Sequence, residues 1–125
     1  MIEIAENAKV WLDSDNILTI KILSKATIEM EDAKKIIAAS AEETENKIHG
    51  NLVDVSEMTY MSREARSLFA AQENETVKAI AVISNSKLHK PLINLYFNIS
   101  KPKIPTKFFN DTELAKKWLT DELKK

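Results

Sequence analysis

The run Ala79-Ile80-Ala81-Val82-Ile83 decides the fold of this chain. It is apolar without a break and lies between two polar residues, Lys78 and Ser84. A continuous apolar run of this length is typical of a central strand covered on both faces, as in a parallel sheet with helices on either side. We therefore expect strands and helices to alternate on both sides of this strand.

Before this run, the sequence predicts a hairpin and then an alternation of helices and strands. Residues 9–13 and 17–23 each alternate between apolar and polar positions, and the turn residues Asp13-Ser14-Asp15-Asn16 separate them, which indicates a hairpin with one buried face. Periodicity and capping signals predict the elements that follow. These are a helix from about Glu29 to Glu45, a short strand at Leu52–Val55, and a helix from the N-cap Ser62 through Phe69.

After the run, the sequence predicts a helix, a short strand and a closing helix. Ser86 caps the first of these helices, and Lys101-Pro102 ends it. Thr106 to Phe109 is a short strand, and Asn110 with Glu113 forms a capping-box pattern for the closing helix. The apolar stripes are Leu88, Leu92, Leu95, Tyr96 and Ile99 in the first helix and Leu114, Ala115, Trp118 and Leu119 in the closing helix.

The order of elements, ββαβαβαβα, predicts an α/β fold with a mostly parallel sheet of about five strands and an N-terminal hairpin. A length of 125 residues fits a single domain over residues 1–125. The chain has no cysteine, no signal peptide and no membrane span, so we expect a soluble cytoplasmic protein.

Charge is divided unevenly along the chain. Residues 1–62 carry twelve acidic and six basic side chains, a net charge of −6, whereas residues 63–125 carry seven acidic and twelve basic, a net charge of +5. Either the two halves neutralise each other in the folded domain, which we favour, or they form separate patches that bind anions or a second copy of the chain. The chain has only two arginines and no basic motif helix, and both features argue against nucleic-acid binding.

Most catalytic sites need residues that this chain lacks. Gly50 is the single glycine, which excludes phosphate loops, dinucleotide-binding loops and nucleophile elbows. His49 and His89 have no cysteine or second histidine at ligand spacing, so we expect no metal site and no cofactor. The sequence therefore predicts that the protein is not an enzyme and has no catalytic residues. A small enzyme that uses Ser84 and His89 is the weakest of three hypotheses.

The stretch Val53-Asp54-Val55-Ser56-Glu57-Met58-Thr59-Tyr60-Met61-Ser62 resembles a STAS domain, the module of sulfate transporters and anti-sigma-factor antagonists. The likeness extends to bacterial STAS-like proteins of unknown function, which share an Ala-Ile-Ala-Val strand, a late Lys-Pro and an ending like Ala-Lys-Lys-Trp-Leu. This resemblance implies a STAS-like βα superhelix.

In the signalling branch of the STAS family, a kinase phosphorylates a serine at the position where this chain has Glu64, and a glycine follows where this chain has Ala65. The resemblance therefore implies that the phosphoserine switch is absent. Glu64 either imitates the modified serine or, as we favour, is an ordinary first-turn glutamate.

The first functional hypothesis is a non-enzymatic protein-interaction or regulatory module with an unknown protein partner. Its surface would be the carboxyl ends of the parallel strands, where α/β sheets usually bind ligands. Tyr60 and Met61 are either exposed anchors or part of the core. The candidate surface consists of Ser56, Tyr60, Met61, Ser62, Arg63, Glu64, Ser84, Asn85 and Ser86.

The alternative hypothesis is a carrier or binder of a small apolar ligand or lipid. The helix predicted after Ser86 has a second apolar stripe, Ile93 and Phe97, beside its main stripe. Such a helix is buried on two sides or faces another apolar surface. The same stripe, beside Lys90 and Lys101, is the candidate interface of a homodimer.

Overall fold

The computed structural model describes residues 1–71, 75–86 and 104–125. Within these ranges the chain forms eight strands and three helices. They are β1 (Ile2–Ile4), β2 (Ala8–Leu12), β3 (Ile17–Ile22), β4 (Thr27–Ile28), α1 (Met30–Thr44), β5 (His49–Asp54), β6 (Tyr60–Met61), α2 (Arg63–Ala70), β7 (Val77–Ile83), β8 (Thr106–Phe109) and α3 (Thr112–Leu123).

Six strands form one mixed sheet in the order β1-β2-β3-β5-β7-β8. The first three strands are antiparallel to one another, and β3, β5, β7 and β8 are parallel. The predicted α/β class and mostly parallel sheet are confirmed, and β1 adds an edge strand to the five that were predicted. A second, two-stranded parallel sheet joins β4 to β6.

The predicted N-terminal hairpin is confirmed as β2 and β3, with Val10 opposite Ile20. The Asp13 carboxylate accepts hydrogen bonds from the backbone N–H groups of Asp15 (2.8 Å) and Ile17 (3.2 Å), which fixes the turn. Asn16 adopts a left-handed conformation with φ of 60°, which asparagine tolerates better than most residues. This register places Val10 and Ile20 on the same face of the sheet, whereas Ile17, at the start of β3, packs on the opposite face.

The sheet buries two separate apolar clusters, one on each face. Side chains of β2 and β3 such as Val10 and Ile20 pack beneath α1 and α2. On the opposite face, Leu52 and Ala81 pack beneath α3 around Leu119. Because successive side chains of a strand point to opposite faces, β5 and β7 contribute to both clusters. The sequence predicted that β7 is covered on both faces. The structure buries Ala79, Ala81 and Ile83 on one face and half-buries Ile80 and Val82 on the other.

The start of α3 differs from the prediction in two ways. Asp111 is the N-cap instead of Asn110: its carboxylate accepts from the N–H groups of Glu113 (2.8 Å) and Leu114 (3.1 Å), and a carboxylate is the stronger acceptor. Leu114 was expected to pack but is 58% exposed. The buried residues of the helix are Ala115 and Leu119, one turn apart, and Leu114 lies beside this line and not on it. Trp118 is half-buried against Phe109, with ring centroids 5.7 Å apart.

Several predictions fall outside the described residues. The helix predicted after Ser86, its stripe residues Ile93 and Phe97, and the homodimer interface built on them all lie in residues 87–103. His89 lies there as well. The homodimer therefore stays a prediction.

Candidate functional site

The carboxyl ends of β5 and β7 lie side by side, as the sequence predicted. Asp54 is opposite Ile83 in the register, and the Val55 N–H continues the pairing by donating to the Ile83 carbonyl at 2.9 Å. One residue further on, the Asn85 N–H donates to Ser56 Oγ at 3.3 Å. The loops after the two strands are therefore joined, and we call the surface that they form with the start of α2 the strand-end surface.

The small β4–β6 sheet holds the loop that enters α2. The backbone N–H of Thr59 donates to the Ala26 carbonyl at 2.9 Å, and that of Ser62 donates to the Ile28 carbonyl at 2.9 Å. This pairing turns Met61 into the core, where it is 9% exposed, and leaves Tyr60 47% exposed. The sequence left open whether Tyr60 and Met61 are exposed anchors or part of the core. In the structure Tyr60 is exposed and Met61 belongs to the core.

The first turn of α2 contains three of the predicted surface residues. Ser62 is confirmed as the N-cap, since its Oγ accepts from the Ala65 N–H at 3.1 Å, and it is buried. Arg63 and Glu64 are both exposed. Glu64 lies where the positive end of the helix dipole favours a carboxylate. This turn therefore presents one cation and one anion beside Tyr60.

The serines after β7 contribute less to the surface than predicted. Ser84 is buried, and its Oγ accepts from the Ser86 N–H at 3.1 Å. Ser86 is half-buried and Asn85 is exposed. The strand-end surface therefore presents chiefly Tyr60, Arg63, Glu64 and Asn85, with Ser56 half-buried among them, while Met61, Ser62 and Ser84 support it from below.

A second candidate site, a cavity of about 190 Å³, lies between the sheet, α1 and α2. Sequence reasoning did not find it. The described residues that line it are largely aliphatic and come from every neighbouring element. They include Ile20, Val53 and Val82 from the sheet, Ile37 and Ala41 from α1, and Phe69 from α2.

Of the described residues that line this cavity, one has a charged side chain. Arg66 is 9% exposed, and its guanidinium donates one hydrogen bond, from Nη1 to the Met61 carbonyl at 2.7 Å. Among the described residues it forms no ion pair, and none of those that line the cavity is Asp or Glu. Arg66 follows Ser62 by one helical turn and precedes Phe69 by three residues, a spacing that could have indicated an inward face.

His49 and Asn51 add two polar groups to the lining. They are two residues apart on β5 and therefore point to the same face of the sheet. His49 is 2% exposed, and its Nδ1 lies 2.8 Å from the Lys47 carbonyl, so the ring is hydrogen-bonded, as expected of a structural histidine. The Asn51 Oδ1 is buried and has no hydrogen-bond partner within the described parts of the chain. The cavity is therefore apolar with a few fixed polar groups, the usual composition of a small-molecule site.

Over residues 1–71, 75–86 and 104–125, no three His, Asp or Glu side chains are close enough together to hold a metal ion. No helix in these ranges is long and apolar enough to span a bilayer.

Among solved structures, the chain is similar to an uncharacterized protein of the DUF3478 family with a SpoIIAA-like fold from Shewanella loihica PV-4. The two share 19% sequence identity with a TM-score of 0.64, over 95% of this chain and 98% of the other. A likeness at this level of identity shows the fold, and it confirms the STAS-like fold predicted from residues 53–62. A protein of unknown function from Arthrobacter sp. FB24 is 28% identical over 89% of this chain and 97% of that one, with a TM-score of 0.37.

A search of curated proteins gave no match. The family model described as "Domain of unknown function (DUF7793)" matches residues 10–122, which is most of the chain. The protein therefore belongs to the DUF7793 family and has a SpoIIAA-like fold.

Proposed function

We propose that this chain is a single, non-enzymatic interaction module that binds a protein partner through the strand-end surface. The observation that carries the proposal is the hydrogen bond from the Asn85 N–H to Ser56 Oγ, which joins the loops after β5 and β7. The β4–β6 pairing fixes the adjoining segment and leaves Tyr60 47% exposed. A fixed surface that includes an exposed aromatic side chain is typical of a protein-binding site.

The hydroxyl groups at this surface support a binding role. Ser62 Oγ serves as the cap of α2, and Ser84 Oγ accepts from the Ser86 N–H. Both serines are buried, whereas a nucleophile must reach its substrate beside a base. We infer that the surface acts by contact and not by covalent chemistry.

The same surface would work without a phosphoserine switch. The position that carries the switch in the resembling signalling proteins is Glu64, whose side chain is exposed at the start of α2. A glutamate cannot be phosphorylated by a serine kinase, so a kinase cannot change the charge at this position. Partner binding would then depend on the concentration of the partner rather than on a kinase.

Site-specific photocrosslinking in the native cell tests this proposal. A photoreactive phenylalanine analogue in place of Tyr60 should yield a discrete adduct with one partner protein. The matched control places the same analogue at Leu114, which is 58% exposed on α3, on the opposite face of the sheet from α1 and α2. Equal adducts from both positions, or none from position 60, would exclude the strand-end surface as the binding site.

A second candidate function, binding of a small apolar ligand, is favoured by the cavity between the sheet, α1 and α2. Its volume of about 190 Å³ exceeds the roughly 150 Å³ of an apolar cavity that accommodates benzene. Native mass spectrometry of protein purified without detergent should then show a small bound molecule that is lost on denaturation. A spectrum of the bare chain alone, in native and denaturing conditions, would count against this function.

A further inference from the structure

Arg66 is the least expected side chain in the cavity. A guanidinium is a planar cation with five N–H donors. One donor is used by the Met61 carbonyl at 2.7 Å. No ion pair with a described residue compensates the charge, and the lining residues around it include Met58, Met61 and Phe69.

Burial of an unpaired charge destabilises a protein unless an anion or several acceptors surround it. Glu64 is two residues away on the same helix but is exposed, on another side of α2 from the buried Arg66. An Arg that served only to hold the Met61 carbonyl could be replaced by a residue with one donor. The remaining donors of the guanidinium therefore point to an acceptor that is not part of the described chain.

We propose that the cavity binds a small apolar molecule with a single carboxylate group, and that Arg66 pairs with this carboxylate. The proposal rests on the second candidate function above and adds the chemical class of the ligand. An arginine fork matches a carboxylate through two parallel hydrogen bonds, and the aliphatic lining matches an acyl or aryl body. The cavity volume of about 190 Å³ suits a chain of roughly six to eight carbon atoms.

The other polar groups of the cavity orient such a ligand. The Asn51 Oδ1 is a buried acceptor that has no donor among the described residues, and an acceptor atom cannot hydrogen-bond to a carboxylate oxygen. The Nδ1 of His49 is already bonded to the Lys47 carbonyl. Arg66, on α2, is thus the group that attracts an anion, and the apolar part of the ligand would lie along Val53 and Val82 of the sheet.

Titration calorimetry with octanoate and octan-1-ol tests this inference, since the two probes share a chain length and differ in the anionic group. We expect the wild-type protein to bind octanoate at least about tenfold more tightly than octan-1-ol, the usual magnitude of a charged hydrogen-bonded pair. Arg66→Gln keeps one amide donor for the Met61 carbonyl and should remove this preference while leaving octan-1-ol binding unchanged. Arg63→Gln makes the same change of charge on the exposed side of α2 and should leave both affinities unchanged.

The outcomes separate the inference from the function on which it rests. Equal wild-type affinity for the two probes would overturn the carboxylate pairing and leave apolar ligand binding in place. Binding of neither probe would overturn both. The comparison of octanoate with octan-1-ol on the wild-type protein needs no variant. It therefore tests the carboxylate preference even if Arg66→Gln unfolds. If Arg66→Gln folds and retains the preference for octanoate, another group binds the anion and the assignment to Arg66 is wrong.

Discussion

The two faces of the sheet are built in opposite ways, and the difference is clearest on β7. Ala81 and Val82 are neighbours on this strand and point to opposite faces. On the α3 face, alanine at positions 79 and 81 and Gly50 on β5 let the helix approach closely. A Cβ added at Gly50 would lie 3.1 Å from Leu119 Cδ2, so the space is already filled.

The face beneath α1 and α2 has larger side chains and yet contains the cavity. Ile20, Val53 and Val82 line it together with the buried Arg66 and with the Asn51 Oδ1, neither of which has a compensating partner among the described residues. Incomplete packing and an uncompensated charge both reduce stability. The contrast is consistent with the proposal that the closely packed α3 face, which we call the closed face, serves stability and that the other face binds a ligand.

The largest expected effect is on the closed face. Leu119 is fully buried, so Leu119→Ala should lower the free energy of unfolding by about 2–5 kcal/mol through lost burial and the cavity it leaves. Leu114→Ala, in the same helix but at a 58% exposed position, should change it by less than about 0.5 kcal/mol. Urea titration of both variants measures the difference. Similar losses for the two would show that α3 is packed differently.

A smaller loss is expected when the closed face is overfilled. Ala81 is fully buried under α3, on the face where a Cβ at Gly50 would lie 3.1 Å from Leu119 Cδ2, and Ala81→Val adds two methyl groups there. Overpacking of this kind typically costs about 1–3 kcal/mol, even though valine suits a strand better than alanine does. Thermal unfolding should show a lower midpoint for this variant. A higher midpoint would mean that the α3 face has unfilled space as well, and the contrast between the faces would disappear.

Sequence periodicity was sufficient for the long elements among the described residues. The alternation in residues 9–13 and 17–23 and the apolar run of β7 gave the hairpin and the central strand correctly. It failed for β1, β4 and β6, which have two or three residues each, too few for an alternation to be recognised. These short strands depend on tertiary partners, such as the Ala26 carbonyl that accepts from Thr59, and not on local propensity.

The strand-end surface was predictable in position but not in detail. Carboxyl ends of neighbouring parallel strands must meet, which placed Ser56 near Asn85. Which side chains point outward depends on the β4–β6 pairing, so the burial of Met61 and Ser62 could not be derived. The cavity was missed for a different reason. An arginine is expected to be exposed unless it is paired, and nothing local to Arg66 contradicts that expectation except its helical spacing from Phe69.

The smallest expected effect sharpens the comparison between the faces. Val82→Ile adds one methylene group beside Ala81 but on the cavity side of β7, where space is available. We expect the free energy of unfolding to change by less than about 0.5 kcal/mol, or to rise by up to about 0.8 kcal/mol if the methylene is buried without strain. The octanoate affinity of this variant should fall, because the added group occupies part of the space of about 190 Å³. A loss of stability equal to that of Ala81→Val would show that the α1 and α2 face is as tightly filled as the α3 face. Unchanged stability together with weaker octanoate binding would tie the unfilled space on this face to the ligand.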